Sequence, residues 1–290
     1  MKNLLMLLLS IPLIFSSCKK EDENIQPNNN GINNHSMIGY GYGDCFGEGV
    51  LCKTIDGGIT WNFIGLDSLV DGYIDFPSEN IGYSVGDLNG IHITNNGGLL
   101  WTHLYQNVEF GGVSFPSDEI GYCYDEDGNE LYKTTDGGLT WNITNLNIGF
   151  DDDNMSFPTE NIGYGGSDDK LYKSIDGGLS WSMINSNMVD DNINTGYDKL
   201  YICFPTVNIG YGYNRDNEIY KTINGGTTWE LIYSSNSDLE SNLSFTDENI
   251  GYISQSTSSG DGLLKTTDGG TTWNFISNSD DCLCDFICFL

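Results

Sequence analysis

The chain is poor in positive charge: 11 Lys and Arg stand against 41 Asp and Glu in 290 residues, a formal charge of −30. A field of that sign repels polyanions and removes nucleic acid from the partner classes. Histidine is equally scarce, with 3 copies, and Arg215 is the single arginine. No Ser-His-Asp or Cys-His phrase is present, and no Gly-rich phosphate loop opens a helix. The one apolar run, at the start, is too short to span a bilayer comfortably. With 37 Gly, 17 Tyr and 13 Phe, the composition suits short strands joined by tight turns, and the fold class it implies is all-β.

The apolar run carries an address. Lys2, the stretch Leu4 to Phe15, and small Ser16 and Ser17 before Cys18 read as a signal peptide over residues 1–17. Ser16-Ser17-Cys18 resembles the lipobox of bacterial lipoproteins, with Phe15 where Leu is more usual, and the resemblance implies acylation of Cys18. Residues 18–37, which open on Lys19-Lys-Glu-Asp-Glu23, are expected to be a flexible tether to the outer membrane and to the cell surface. Residues 38–290 then form one domain.

Within that domain the sequence repeats. Trp61, Trp101, Trp141, Trp181, Trp229 and Trp273 are spaced by 40, 40, 40, 48 and 44 residues. Each closes a phrase of the form Thr54-Ile-Asp56-Gly-Gly-Ile-Thr-Trp61, with Asp136, Asp176 and Asp268 in the place of Asp56, and Asn96 and Asn224 in two departing copies. An Asp or Asn accepting local N–H groups ahead of Gly-Gly is β-hairpin turn chemistry, and the Trp packs the turn down. Upstream recurs a second phrase, Phe76-Pro-Ser-Glu-Asn-Ile-Gly-Tyr83 and its copies ending at Tyr122, Tyr164, Tyr211 and Tyr252, abbreviated to Ile38-Gly-Tyr40 at the start. A period of this length marks a repeat architecture of four-stranded units.

The expected fold is a six-bladed β-propeller of four-stranded antiparallel blades. In blade two, strand A is expected to end at Phe76, B to start at Ile81, C to cover Gly90–Thr94 and D to begin at Trp101. Cys284-Asp-Phe-Ile-Cys-Phe289 copies strand A of blade two, so it should pair with 38–44 and close the ring. The recurring Tyr suits a core position.

These phrases resemble the BNR or Asp-box repeat, Ser/Thr-x-Asp-x-Gly-x-Thr-Trp, and the pairing of Ile-Gly-Tyr with the Asp-box looks most like the photosystem II assembly and stability factor propellers. Sialidases, sortilin-like receptors and xyloglucan hydrolases also carry the motif, so it implies fold and leaves function open. Sialidases of this superfold grip their substrate carboxylate with three arginines, and Arg215 alone argues against that activity.

Function is expected on the rim whose loops differ from repeat to repeat. There lie Asp125, Asp127, Asp151, Asp152, Asp153, Asp168, Asp169, Asp190 and Asp191. Clustered carboxylates are hard oxygen ligands that suit Ca²⁺, while Asp127-Gly-Asn is equally good turn chemistry. The expected role is a non-enzymatic binding module for a protein, a glycan or Ca²⁺, and the rival is a glycoside hydrolase with a carboxylate pair on the same rim. His92 and His103, one Asp-box turn apart, fit either a metal pair or ordinary strand residues. Without Cys18, seven cysteines remain, an odd number. The closing register suggests a Cys45–Cys282 disulfide, with Cys45–Cys52 as the competing pair.

Overall fold

The computed structural model describes residues 38–45, 48–65, 72–86, 90–106, 108–146, 148–150, 154–167, 170–184, 201–214, 216–239, 243–256, 262–278 and 286–290. These form six antiparallel sheets and no helix among the described residues. The protein is a six-bladed β-propeller.

Each blade runs from strand A to strand D in one order. Blade one takes A from Phe286–Phe289 and B, C and D from Gly39–Cys45, Glu48–Thr54 and Asn62–Gly65. Blade two is Tyr73–Asp75, Gly82–Gly86, Gly90–Thr94 and Trp101–Gln106. Blade three is Phe110–Ser114, Gly121–Asp125, Glu130–Thr134 and Asn142–Asn145, and blade four is Met155–Ser156, Gly163–Ser167, Lys170–Ser174 and Ser182–Ile184. Blade five is Tyr201–Cys203, Gly210–Tyr213, Glu218–Thr222 and Glu230–Ser234.

Blade six, with B, C and D at Gly251–Ser256, Gly262–Thr266 and Asn274–Asn278, departs from the four-strand expectation. Its A edge comes in two pieces, Asp238–Leu239 and Ser244–Phe245, both paired to strand B. The first piece is tied to blade five. Asn217, in the left-handed region at φ 60°, accepts the Leu239 N–H at 2.9 Å and donates to Asp238 at 3.2 Å.

Closure follows the expected route. Gly39 pairs with Phe289, Gly41 with Ile287 and Tyr42 with Phe286, and the Leu290 N–H donates to Ile38 O at 3.0 Å. The described pairing stops there, and Cys282 lies outside the described residues. Cys52 sits opposite Gly41 as a buried free thiol, so the competing Cys45–Cys52 disulfide is not formed.

Both repeated phrases have a packing reason. In the Asp-box, Asp56 Oδ1 accepts from the Thr54 hydroxyl at 2.8 Å and the Thr60 N–H at 2.9 Å, while Oδ2 accepts from the Thr60 hydroxyl at 2.7 Å. Asn96 accepts the equivalent Leu100 N–H and Asn224 the Thr228 N–H, so the amide replaces the carboxylate without changing the turn. The Gly97 N–H donates to Asn80 O at 2.9 Å, and the same bond recurs from Gly137, Gly177, Gly225 and Gly269, which puts the C–D and A–B turns on one rim. In the other phrase, glycine stands where strand B crosses strand A: a methyl group at Gly82 would collide with the Phe76 ring, and Gly121, Gly163, Gly210 and Gly251 face the same obstacle.

The core sits between blades. The fully buried Tyr of one blade lies flat on the Phe of the next: Tyr40 on Phe76, Tyr83 on Phe115, Tyr122 on Phe157, Tyr164 on Phe204 and Tyr211 on Phe245, with centroids 3.5, 3.4, 3.6, 3.5 and 3.5 Å apart. Trp101, Trp141, Trp181, Trp229, Trp273 and Trp61 meet the Phe of their own blades edge-on. Lys53, Lys133, Lys173, Lys221 and Lys265 cover the outer Tyr face at about 5 Å, and Ile93 takes that place in blade two. Each tyrosine hydroxyl of Tyr40, Tyr83, Tyr122, Tyr164 and Tyr211 donates to a carbonyl in the next blade's A–B loop, which satisfies these five hydroxyls.

Candidate functional site

The two rims differ in what their polar groups have left to offer. On the Asp-box rim the acceptors of Asp56, Asp136, Asp176 and Asp268 are spent inside their own turns. Bonds from the Thr140 hydroxyl and N–H hold the Asp136 carboxyl below the usual carboxylate range, and Ser180 and Thr272 do the same for Asp176 and Asp268. Those residues are structural.

The opposite rim is reached by the B–C and D–A loops. Asp125 uses Oδ1 to accept the Glu130 N–H at 2.6 Å, and its carbonyl accepts the Gly128 N–H at 2.7 Å, with Gly128 at φ 65°. Asp125 therefore builds a turn, as the hairpin reading had it, while Asp127 at the tip is exposed. Phe150 in the following D–A loop folds under this turn, donating its N–H to Gly128 O at 3.3 Å and packing on Trp181. Asp151, Asp152, Asp153, Asp168, Asp169, Asp190, Asp191 and the lipidation candidate Cys18 lie outside the described residues. Among the described residues, no group of three or more His, Cys, Asp and Glu converges on a point where a metal could sit.

His92 and His103 do meet. They face each other in the register of blade two, ring centroids 4.4 Å apart and tilted by 57°, with His92 buried. In the other blades this C–D pair is Cys52–Phe63, Tyr132–Ile143, Tyr172–Met183, Tyr220–Leu231 and Leu264–Phe275, so the histidines occupy an ordinary packing position.

A feature the sequence did not announce lies on the axis. The six A strands enclose a cavity of about 170 Å³. The residue before each repeated Phe lines it: Cys288, Asp75, Ser114, Ser156, Cys203 and Ser244. Five of these side chains accept a backbone bond from the next blade, forming a directed circuit. Cys288 Sγ accepts the Phe76 N–H at 3.3 Å, Asp75 Oδ2 the Phe115 N–H at 2.5 Å, Ser114 the Phe157 N–H at 3.0 Å, Ser156 the Phe204 N–H at 3.0 Å and Ser244 the Phe289 N–H at 3.1 Å. Every bond runs to the next blade in the same sense.

Asp75 is the one ionisable carboxyl in this circuit. Burial raises it to about 6, against the opposing pull of the Phe115 N–H and of the Cys288 thiol, which donates to Oδ1 at 3.6 Å. Burial also lifts the Cys288 thiol well above its ordinary value, and the neighbouring Asp75 charge adds to it. Cys288 is thus a poor nucleophile at neutral pH.

No protein-family model matches the chain, and no curated protein does. Among solved structures it is similar to YCF48 bound to D1 peptide, at 18% identity and TM-score 0.53, covering 81% of this chain and 78% of that one. A nidogen/laminin complex gives TM-score 0.62 at 9% identity over 87% of this chain and 97% of the other. An ancestral GH74 enzyme gives 0.52 at 17% identity over 86% of this chain, which spans 40% of the enzyme. The shared property is the propeller. At these identities the likeness carries no activity.

Proposed function

We propose that this protein is a surface lipoprotein whose propeller acts as a binding module through the rim opposite the Asp-boxes, with a protein segment as the favoured ligand. The observation that carries the reading is the contrast between rims. Asp-box carboxylates are consumed by their own turns, whereas Asp127 and Asp216 stand exposed in B–C loops of the opposite rim. Two of the similar folds, YCF48 with its peptide and the propeller of the nidogen/laminin complex, are proteins captured with protein partners, which supports a protein ligand over a sugar. Glycans and Ca²⁺ are the remaining ligand classes for this surface.

Peptide and glycan arrays probed with the purified protein test the proposal. Binding that weakens when Asp127 and Asp216 are neutralised together, with no cleavage of the ligand, is the expected result. Turnover of a bound oligosaccharide would instead establish the hydrolase reading.

A further inference from the structure

We propose that the axial cavity receives one cationic group, a primary ammonium such as a lysine side chain carries, with Asp75 as its counter-ion. The proposal rests on the reading of the variable rim as the binding face, and it adds the chemistry of what enters.

Four observations converge. First, the cavity is lined by all six A strands, and no Lys, Arg or His is among its lining residues, so Asp75 is its only charged side chain. Second, Asp75, Ser114, Ser156, Cys203 and Cys288 are partly exposed while the Phe that follows each is buried, so these side chains are reachable along the cavity although protein surrounds them. Third, an ionised carboxylate has about four acceptor positions, and the Phe115 N–H, the Cys288 thiol and the Phe76 N–H act on Asp75's without filling them all. Hydroxyls at Ser114, Ser156 and Ser244 line the same cavity as further acceptors for the protons of an ammonium.

Fourth, the strands give the entry a direction. Strand A runs from the variable rim towards the Asp-box rim, and two residues before the circuit, on the same side of the strand, stand Tyr73 and Tyr201. A cation entering from the variable rim passes these rings before it meets Asp75, an arrangement that favours a positive over a neutral guest. The volume of about 170 Å³ admits a slender side chain and excludes a folded segment. The formal charge of −30 draws cations towards the mouth.

The test uses n-butylammonium as probe on the full chain, followed through the ¹³C resonance of the Asp75 carboxyl. Saturable binding is expected at pH 7, and Asp75→Asn is expected to weaken it about tenfold or more, the equivalent of one lost hydrogen bond to a charged partner. Asp75→Ser, which installs the residue of blades three, four and six and keeps the inter-blade bond, serves as the folded control and should lose the probe equally. Cys288, Cys123 and Tyr83, all with raised values, share Asp75's surroundings, and Cys203, Tyr73 and Tyr201 line the same cavity, so Asp75 is its one carboxyl among the described residues and affinity should fall as pH drops through about 6. An ordinary surface carboxylate titrates near 4.

Probe affinity that survives both substitutions, or that persists unchanged to pH 4.5, overturns the inference and assigns the binding to the rim. Because array binding is measured separately, loss of the cavity site with array hits retained defeats this inference and leaves the rim reading standing.

Discussion

Tyr252 lies face to face with Phe289, ring centroids 3.5 Å apart and planes within 5°. The two residues belong to the last blade and to the strand that completes the first, so this stack is the joint at which the chain closes on itself. It has the same geometry as the five stacks formed elsewhere between successive blades, and stacked aromatic pairs contribute about 0.5–1.5 kcal/mol beyond their buried area.

Removal of the Phe289 ring should therefore be costly although the residue stands beside the chain end. Phe289→Ala is expected to lower stability by about 3–5 kcal/mol, the range for a buried Phe. Urea unfolding followed by tryptophan fluorescence measures it; a loss under about 1 kcal/mol would show that the terminal strand only decorates blade one.

Asp75 makes the fold less stable as acid is withdrawn. Its carboxyl is raised from the ordinary 3.8 to about 6 in the folded state, so the protonated form is the one the fold prefers. That contribution is complete below about pH 3.8 and is lost as pH rises to about 6. The Asp-box carboxyls, held low, act in the opposite sense and lose their contribution as pH falls. The difference between the wild type and Asp75→Asn isolates the first effect, on the order of 2 kcal/mol across that window. Parallel stability–pH curves for the two proteins would refute it.

At the turns, shape matters more than charge. Asp56→Ala removes the bonds to Thr54 and Thr60 and should cost about 1 kcal/mol. Asp56→Asn should cost a few tenths, because Asn96 and Asn224 already build the same turn. Thermal melts of the two variants should rank Asn well above Ala; equal losses would point to charge as the determinant.

Surface anchoring is tested at Cys18. Cells expressing the wild type and fed a labelled fatty acid should label the protein, and Cys18→Ser should abolish the label and release the propeller into the soluble fraction. Labelling that persists in the variant would place the anchor elsewhere.

The propeller was legible because turn chemistry is local: Asp-Gly-Gly before Trp and Gly before Tyr recur at fixed offsets, and blade two's strand C falls at Gly90–Thr94 as its pattern implies. Closure was legible because the final segment copies an A strand. The axial circuit was not, since its members, Cys288, Asp75, Ser114, Ser156, Cys203 and Ser244, differ from repeat to repeat and acquire a common role only when the neighbouring blade presents an N–H. The Tyr–Phe stacks escaped for a related reason. Each residue was visible within its own repeat, but the contact joins one repeat to the next, and a period read along the chain contains no information on which faces meet.

Because Cys288, Asp75, Ser114, Ser156 and Ser244 around the axis each take a bond from the following blade in one rotational sense, and the joint at Tyr252 and Phe289 is made like its five counterparts, the closing joint is held by the same kinds of contact as the others. A permuted chain that starts in the gap before another blade should therefore keep the same inter-blade stacks.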